Sequence, residues 1–279
     1  MKKLLWVTIV LSLTAFLATG CGGDDDDGGN DTGDGASPEA SAGASPDASQ
    51  AVTPTVAAVD IGVVVEYESE DGVHVVATFA APEGVENPPV VVLLHQFLGS
   101  RSQWRQLIGP LVEAGYAVLA PDLRAFGEST RCRVNGRDER CALEDVDDLL
   151  KDVPAALSYL KDEQDVDTER MAVIGASLGG NVAYVASGAF PEVDTAVSIS
   201  PNANTRGGAL LGTNVPGFEP RSVLFMADET ESTDAETLAE NVAAPVEVKV
   251  YEGERLHGVE LLKNPQALLD ILGWLEETL

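Results

Sequence analysis

The sequence has few basic side chains and few histidines. Its 279 residues include 17 Lys and Arg against 46 Asp and Glu, which gives a formal net charge of −29. This charge argues against nucleic acid binding and predicts that anionic substrates are repelled. The chain has only three histidines, and this shortage disfavours a metal-dependent hydrolase. We therefore expect no nucleic acid partner, no metal and no cofactor.

The first 20 residues have the pattern of an export signal and lack the length of a membrane span. Two lysines precede an apolar stretch at residues 4–18, which is too short to cross a bilayer comfortably. The segment Leu17-Ala18-Thr19-Gly20-Cys21 then resembles a bacterial lipobox, with alanine where leucine is usual. We predict a signal peptide at residues 1–20 and lipidation of Cys21, which would anchor an exported protein to a bacterial membrane. An ordinary signal peptide is the alternative, and it also exports the protein.

Only three cysteines are present. If Cys21 carries lipid, Cys132 and Cys141 remain as a pair, separated by a polar, arginine-rich segment. An exported protein meets oxidising conditions, which favour disulfides. We predict a local disulfide between Cys132 and Cys141. No histidine or further cysteine lies nearby in the sequence, so a metal site there is disfavoured.

Residues 21–59 differ in composition from the rest of the chain. They contain mainly Asp, Gly, Ser, Ala and Pro, which cannot fill a hydrophobic core, so we predict a disordered linker. The remaining residues, 60–279, have the length of one α/β domain with a full core.

The order of apolar segments in residues 60–279 predicts an α/β fold. Alternating apolar residues at 61–67 and 73–80 predict a hairpin. Further strands are predicted at 90–94, 116–120, 171–175, 195–199, 222–227 and 246–251, and helices at 102–114, 144–161, after 177, at 235–241 and at 265–279. Alternating strands and helices are typical of a mostly parallel central sheet with helices on both faces. Short connections argue against a large lid.

One segment at the end of a predicted strand has the pattern of a nucleophile elbow. Residues 175–179 read Gly-Ala-Ser-Leu-Gly, which matches G-x-S-x-G between a strand and a helix. Such a turn strains the serine backbone and requires small neighbours. The pattern predicts that Ser177 is a covalent nucleophile.

Three further motifs occur in a fixed order around this elbow. They are Leu94-His95-Gln96-Phe97, Asp122-Leu-Arg-Ala-Phe-Gly-Glu-Ser129 and His257-Gly258. With these four motifs, residues 60–279 resemble the α/β-hydrolase family, and within it the dienelactone-hydrolase-like and small serine esterase groups. The resemblance implies the α/β-hydrolase fold and a serine esterase mechanism.

His257 is the predicted catalytic base, since an imidazole can accept and return the serine proton near neutral pH. It follows the last predicted strand, in the order of nucleophile, acid and histidine that the family uses. His74 lies in the first hairpin and is interpreted as structural. The resemblance implies that His95 shapes the oxyanion loop.

The predicted acid follows the strand at 222–227, and two candidates remain open. The family usually has Gly-x-x-Asp there, whereas this chain has Asp228-Glu-Thr-Glu231. Alignment of the strand favours Glu231 as the acid. Asp228 is the alternative if the turn is shorter.

The predicted oxyanion hole consists of the backbone N–H groups of Leu178 and Phe97. Gln96 occupies the position of a usual glycine, which indicates either a different loop conformation or a side-chain amide facing the pocket. Arg124-Ala125 likewise replaces a usual Arg-Gly, and both Asp122 and Arg124 are interpreted as structural.

These residues predict a carboxylic ester hydrolase that acts on acetyl or short-chain esters of small molecules or polymers. One alternative is a surface binding protein that has kept the fold and lost the activity. The other is a peptidase of the same fold.

Overall fold

The structure is a computed structural model that describes residues 61–163, 165–204, 211–212, 215–243, 245–253 and 255–279. The described residues lie within one compact unit, Thr55–Leu279. The predicted signal peptide, the lipidation site Cys21 and the linker at 21–59 lie outside the described residues.

The described chain alternates strands and helices after an initial hairpin. Its strands are β1 (Val63–Glu68), β2 (Val73–Ala80), β3 (Pro89–Leu94), β4 (Ala117–Pro121), β5 (Arg131–Val134), β6 (Arg137–Arg140), β7 (Asp167–Ala176), β8 (Thr195–Ile199), β9 (Val223–Asp228) and β10 (Val246–Tyr251). Its α-helices are α1 (Arg105–Glu113), α2 (Asp152–Glu163), α3 (Leu178–Ala189), α4 (Ser232–Ala239) and α5 (Pro265–Thr278). Three 3-10 segments lie at Arg101–Trp104, Val146–Lys151 and Gly258–Lys263.

All the strands belong to one sheet with the order β10-β9-β8-β7-β3-β4-β2-β5-β6, and β1 pairs with β2. The strands from β10 to β4 run parallel, whereas the pairs that involve β1, β2, β5 and β6 are antiparallel. The predicted fold class, a mostly parallel sheet with an N-terminal antiparallel hairpin, is confirmed.

The central strands are buried on both faces, which explains their continuous apolar sequences. In β3, Val92 and Leu94 contact the hydrophobic cluster under α2, α3 and α4. Val91 and Leu93 contact the opposite cluster, which contains side chains of α1 and α5. Successive residues of a strand point to opposite faces, so one apolar run supplies both halves of the core.

The polar segment between Cys132 and Cys141, for which no strand was predicted, forms a hairpin of β5 and β6. The predicted disulfide is present, with the two Cα atoms 5.2 Å apart. The turn contains Asn135 and Gly136, both with positive φ, 51° and 76°. Asn-Gly is the dipeptide that two-residue hairpin turns favour, so a sequence signal for this hairpin existed.

No large lid domain occurs within the described ranges. None of the helices in those ranges is both long enough and apolar enough to cross a bilayer.

Candidate active site

Ser177 lies at the junction between β7 and α3, with φ 52° and ψ −117°. This backbone conformation is strained for a residue with a side chain, and such strain typically costs about 1–3 kcal/mol. A hydrogen bond from the Ser177 N–H to the Ile199 carbonyl, 2.7 Å long, holds the turn against β8. The serine side chain is thereby fixed at the carboxyl end of the central strands.

The glycines around Ser177 are required by close backbone contacts. A Cβ atom on Gly175 would overlap the backbone of Gly179. A Cβ atom on Gly179 would overlap the carbonyl of Leu94 at the end of β3. The G-x-S-x-G pattern therefore lets α3 begin directly against two neighbouring strands.

His257 connects Ser177 to Glu231. The imidazole Nε2 lies 2.9 Å from the Ser177 Oγ, and Nδ1 lies 2.7 Å from the Glu231 Oε1. A carboxylate at Nδ1 favours the tautomer with the proton on that atom, which leaves Nε2 to accept the serine proton. The structure thus brings together three residues that are 80 and 26 positions apart in the sequence.

Glu231 occupies the N-cap position of α4 and makes no capping hydrogen bond there with its side chain. Its carboxylate is instead directed to His257, close to the helix N-terminus, where a negative charge is favoured. The second carboxylate oxygen, Oε2, is buried and has no hydrogen-bond partner in the described part of the chain.

Asp228, the alternative acid, has a different set of partners. Its carboxylate accepts hydrogen bonds from the Thr230 N–H (3.0 Å), the Thr230 hydroxyl (2.7 Å) and the Leu256 N–H (3.2 Å). The hydrogen bonds from Thr230 and Leu256 lower the pKa of the Asp228 carboxyl below its usual value. Among the described contacts none joins Asp228 to the His257 ring, so Asp228 braces the loop that carries His257.

The other two histidines have structural contacts. The Leu123 N–H donates to His95 Nε2 at 2.9 Å, and His95 Nδ1 lies 2.8 Å from the Gln96 carbonyl. These partners require a proton on Nδ1 and none on Nε2, so the ring is neutral. Burial lowers the pKa of His95, which favours the same neutral form. His74 on β2 pairs with Glu66 at 3.1 Å.

One predicted oxyanion donor, Leu178, directly follows Ser177, and the other, Phe97, follows the strand that neighbours β7 in the sheet. Leu178 is the first residue of α3, and N–H groups in the first turn of a helix have no acceptor within that helix. Phe97 lies in the loop after β3, with its ring edge-on to Phe126 at a centroid distance of 5.5 Å. Within the described ranges, neither N–H has an acceptor, and both donors are therefore free to bind a ligand oxygen.

Asp122 and Arg124 support the neighbouring loop. The buried Asp122 carboxylate accepts the N–H groups of Arg101 (2.7 Å) and Glu128 (2.8 Å). Arg124 pairs with the buried Asp152 through its Nε at 2.7 Å. Ala125, which replaces the usual glycine, has φ 68°, so the loop keeps a conformation that favours glycine.

A cavity of about 360 Å³ lies beside the oxyanion loop. Phe97, Phe126, Leu143 and Val146 supply apolar lining, and the charged residues Arg140 of β6 and Glu144 also line it. A second cavity, of about 330 Å³, is lined by residues near β1 and Arg101. The lining of neither cavity includes Ser177, Glu231 or His257. Within the described residues, no cluster of His, Cys, Asp and Glu is arranged to hold a metal ion.

Comparison with known proteins places this geometry in a family. The model of the dienelactone hydrolase family matches residues 75–259. A Bacillus subtilis protein, AB hydrolase superfamily protein YfhM, is 32% identical over 133 residues, which cover 47% of this chain and 41% of that protein. Epoxide hydrolase A of Mycobacterium tuberculosis is 35% identical over 101 residues, which cover 36% and 28% of the two chains.

Solved structures share the fold. The Pyrococcus furiosus esterase Pf2001 aligns with a TM-score of 0.61 at 18% identity, over 77% of this chain and 92% of that one. The hypothetical protein PA2218 of Pseudomonas aeruginosa aligns with a TM-score of 0.62 at 18% identity, over 78% and 93%. At these identities the likeness concerns the fold alone.

The chain spans less than half the length of the curated relatives that it matches. The family match, in contrast, extends over residues 75–259 and includes Ser177, Glu231 and His257. Since that match covers well over half of the sequence, the chain belongs to the dienelactone hydrolase family.

Proposed function

We propose that this protein is a serine hydrolase that cleaves carboxylic esters through an acyl-enzyme at Ser177. The observation that carries this proposal is the continuous hydrogen-bonded series from Ser177 Oγ through His257 to Glu231, with distances of 2.9 and 2.7 Å. A nucleophile, a base and a group that orients the base are the parts that such catalysis needs.

In the proposed reaction, the Ser177 Oγ attacks the ester carbonyl carbon while His257 Nε2 accepts the hydroxyl proton. The imidazolium then donates that proton to the leaving alkoxide, and the alcohol departs. A water molecule, activated by the same nitrogen, attacks the acyl-enzyme and releases the acid. Throughout, Glu231 stabilises the imidazolium.

The negative charge that develops on the carbonyl oxygen would be stabilised by the N–H groups of Leu178 and Phe97. Both are backbone donors fixed by the start of α3 and by the loop after β3. Loss of one such donor typically costs about 3–4 kcal/mol of transition-state stabilisation. The free state of both donors supports this role.

The proposed substrates are acetyl or short-chain esters, carried by small molecules or by polymers. The side chain of His257 is 47% exposed and that of Glu231 is 31% exposed, so the described site opens to the surface. The cavity beside the oxyanion loop, of about 360 Å³ and lined by apolar side chains together with Arg140 and Glu144, is near the lower end of the usual range for ligand pockets, about 300–1,000 Å³. A small acyl or alcohol group fits this space better than a long chain.

A series of p-nitrophenyl esters of increasing acyl length tests the proposed substrate class. We expect kcat/KM for the acetate and butyrate to exceed that for the decanoate by about tenfold or more. The reason is that a small pocket discriminates between acyl chains that differ by a few methylene groups. A constant or rising kcat/KM up to the decanoate would contradict the short-chain preference. No turnover of any ester would favour the alternative, a binding protein that has lost the activity.

We also propose that the protein is exported and anchored through lipid on Cys21. The Cys132–Cys141 disulfide supports an oxidising compartment. Fractionation of cells that express Cys21→Ser tests the anchor, since the variant is expected to leave the membrane fraction. A variant that stays with the membranes as the wild type does would exclude this anchor.

A further inference from the structure

The loop that carries His257 is held by side-chain acceptors on both sides of the histidine. On the amino-terminal side, the Leu256 N–H donates to Asp228, as described above. On the carboxyl-terminal side, the Gly258 N–H donates to Ser200 Oγ at 2.9 Å, and the Val259 N–H donates to Gln96 Oε1 at 3.3 Å. These acceptors come from three different strand ends, β9, β8 and β3.

Gln96 lies directly before Phe97, whose N–H is the second proposed oxyanion donor. Its side chain reaches the Val259 N–H in the loop of the proposed base. The same side chain packs so closely on Gly258 that a Cβ atom there would overlap Oε1. Gln96 thus joins the loop that holds the oxyanion donor to the loop that holds the base.

Ser200 is a buried residue in a strained conformation. It is 1% exposed, and its φ of 49° lies in the left-handed region, which is costly for a residue with a side chain. Its N–H donates to the Met226 carbonyl at 2.7 Å, which fixes the backbone while the hydroxyl faces Gly258. Strain that surrounding contacts maintain at such a place points to a role in the site.

Gly258 explains why both acceptors can act together. Its φ is 60°, a conformation that glycine adopts without steric cost. This turn allows the N–H groups of Gly258 and Val259 to reach two separate side chains, Ser200 and Gln96. The contacts with Ser200, after β8, and with Gln96, after β3, thereby fix the position of the His257 backbone.

We propose that Gln96 and Ser200 are positioning residues that keep the His257 ring in line with Ser177 and, through Gln96, couple the base to the oxyanion loop. This inference rests on the proposed function, because it assigns a role relative to that chemistry. A displacement of about 1 Å in a catalytic group can cost about 100-fold in rate. Loss of either contact should therefore slow the chemical step more than it weakens substrate binding.

The test compares Gln96→Met, Ser200→Ala and the control Ser222→Ala. Gln96→Met keeps the length of the side chain and removes the acceptor. Ser222 is likewise a buried serine, but its hydroxyl is a donor, to the Asp194 carbonyl at 3.0 Å, and it lies at the amino end of β9. The variants are assayed for kcat and KM on p-nitrophenyl acetate and for the rate of Ser177 labelling by a fluorophosphonate.

Both Gln96→Met and Ser200→Ala are expected to lower kcat and the labelling rate by about 10- to 100-fold, while KM changes by no more than about threefold. Ser222→Ala is expected to behave as the wild type in both assays. Gln96→Glu, which keeps an oxygen near the Val259 N–H, should fall between the wild type and Gln96→Met. A residue that only stabilises the fold would lower the thermal midpoint without this split between kcat and KM.

The outcomes separate this inference from the proposed function. If the wild type shows Ser177-dependent turnover and both variants match Ser222→Ala, the positioning role is overturned and the proposed function stands. If the wild type shows neither turnover nor labelling, the proposed function and the positioning role both fail. If Ser200→Ala does not fold, the kcat values of the Gln96 variants decide on the positioning role. They are expected to rise from Gln96→Met through Gln96→Glu to the wild type, and equal values would overturn that role.

Discussion

Replacement of Ser177 by alanine is expected to lower kcat for ester hydrolysis by about 10⁴- to 10⁶-fold, as in other enzymes that use a serine nucleophile. The substitution removes the hydroxyl 2.9 Å from His257 Nε2, so no acyl-enzyme can form. The fold should persist, because alanine removes only one oxygen from a partly exposed position. Activity on p-nitrophenyl acetate and the thermal midpoint together measure this prediction.

Ser187→Ala is the matched control for this substitution. Ser187 lies on the same helix, α3, is buried, and donates a hydrogen bond to the Tyr184 carbonyl at 2.8 Å. Its loss should change stability more than catalysis, and the esterase rate should stay close to that of the wild type. A rate that survives Ser177→Ala would place the chemistry elsewhere in the chain.

Replacement of Glu231 by glutamine is expected to lower kcat by about 10³- to 10⁴-fold, since the corresponding change in serine proteases costs about 10⁴-fold. The glutamine amide can donate to Nδ1 as well as accept from it, and donation stabilises the tautomer that carries the proton on Nε2. That tautomer cannot accept the Ser177 proton. Because the two side chains have nearly the same shape, the structure should change little.

Asp228→Asn is the control that separates the two carboxylates. Asp228 accepts from Thr230 through Oδ1 and from the Leu256 N–H through Oδ2, so asparagine can keep the acceptor for Thr230 and loses the acceptor for Leu256. We expect kcat to fall by no more than about tenfold, which corresponds to a rise of up to about 1.4 kcal/mol in the activation free energy. If Asp228→Asn is the more damaging change and Glu231→Gln is mild, the two roles are reversed.

Local sequence patterns predicted most of the fold. The parallel strands read as short apolar runs because both of their faces are covered, as Val91 and Val92 illustrate. The elbow was visible because its backbone geometry demands glycine at 175 and 179, where a Cβ atom would overlap its neighbours. Requirements that act within a few residues leave such marks in a sequence.

The features that the sequence did not reveal depend on distant residues. Gln96 departs from a familiar motif, but its partner, the Val259 N–H, lies 163 positions away. No pattern distinguished Ser200 from other loop serines, since its role follows from a strained φ and from Gly258, 58 positions later. Alignment of the motif favoured Glu231 over Asp228 but left both open, because only the turn geometry decides which carboxylate meets His257.

The central claim is that Ser177 forms a covalent acyl-enzyme with help from His257, and covalent labelling tests it most directly. The wild-type protein is treated with a fluorophosphonate, digested and analysed by mass spectrometry, in parallel with Ser177→Ala and His257→Ala. One adduct is expected, on the peptide that contains Ser177, with no adduct in Ser177→Ala and a labelling rate in His257→Ala lower by about 10³-fold or more. A folded wild-type protein that is not labelled, or an adduct on another residue, would contradict the role of Ser177 as the nucleophile.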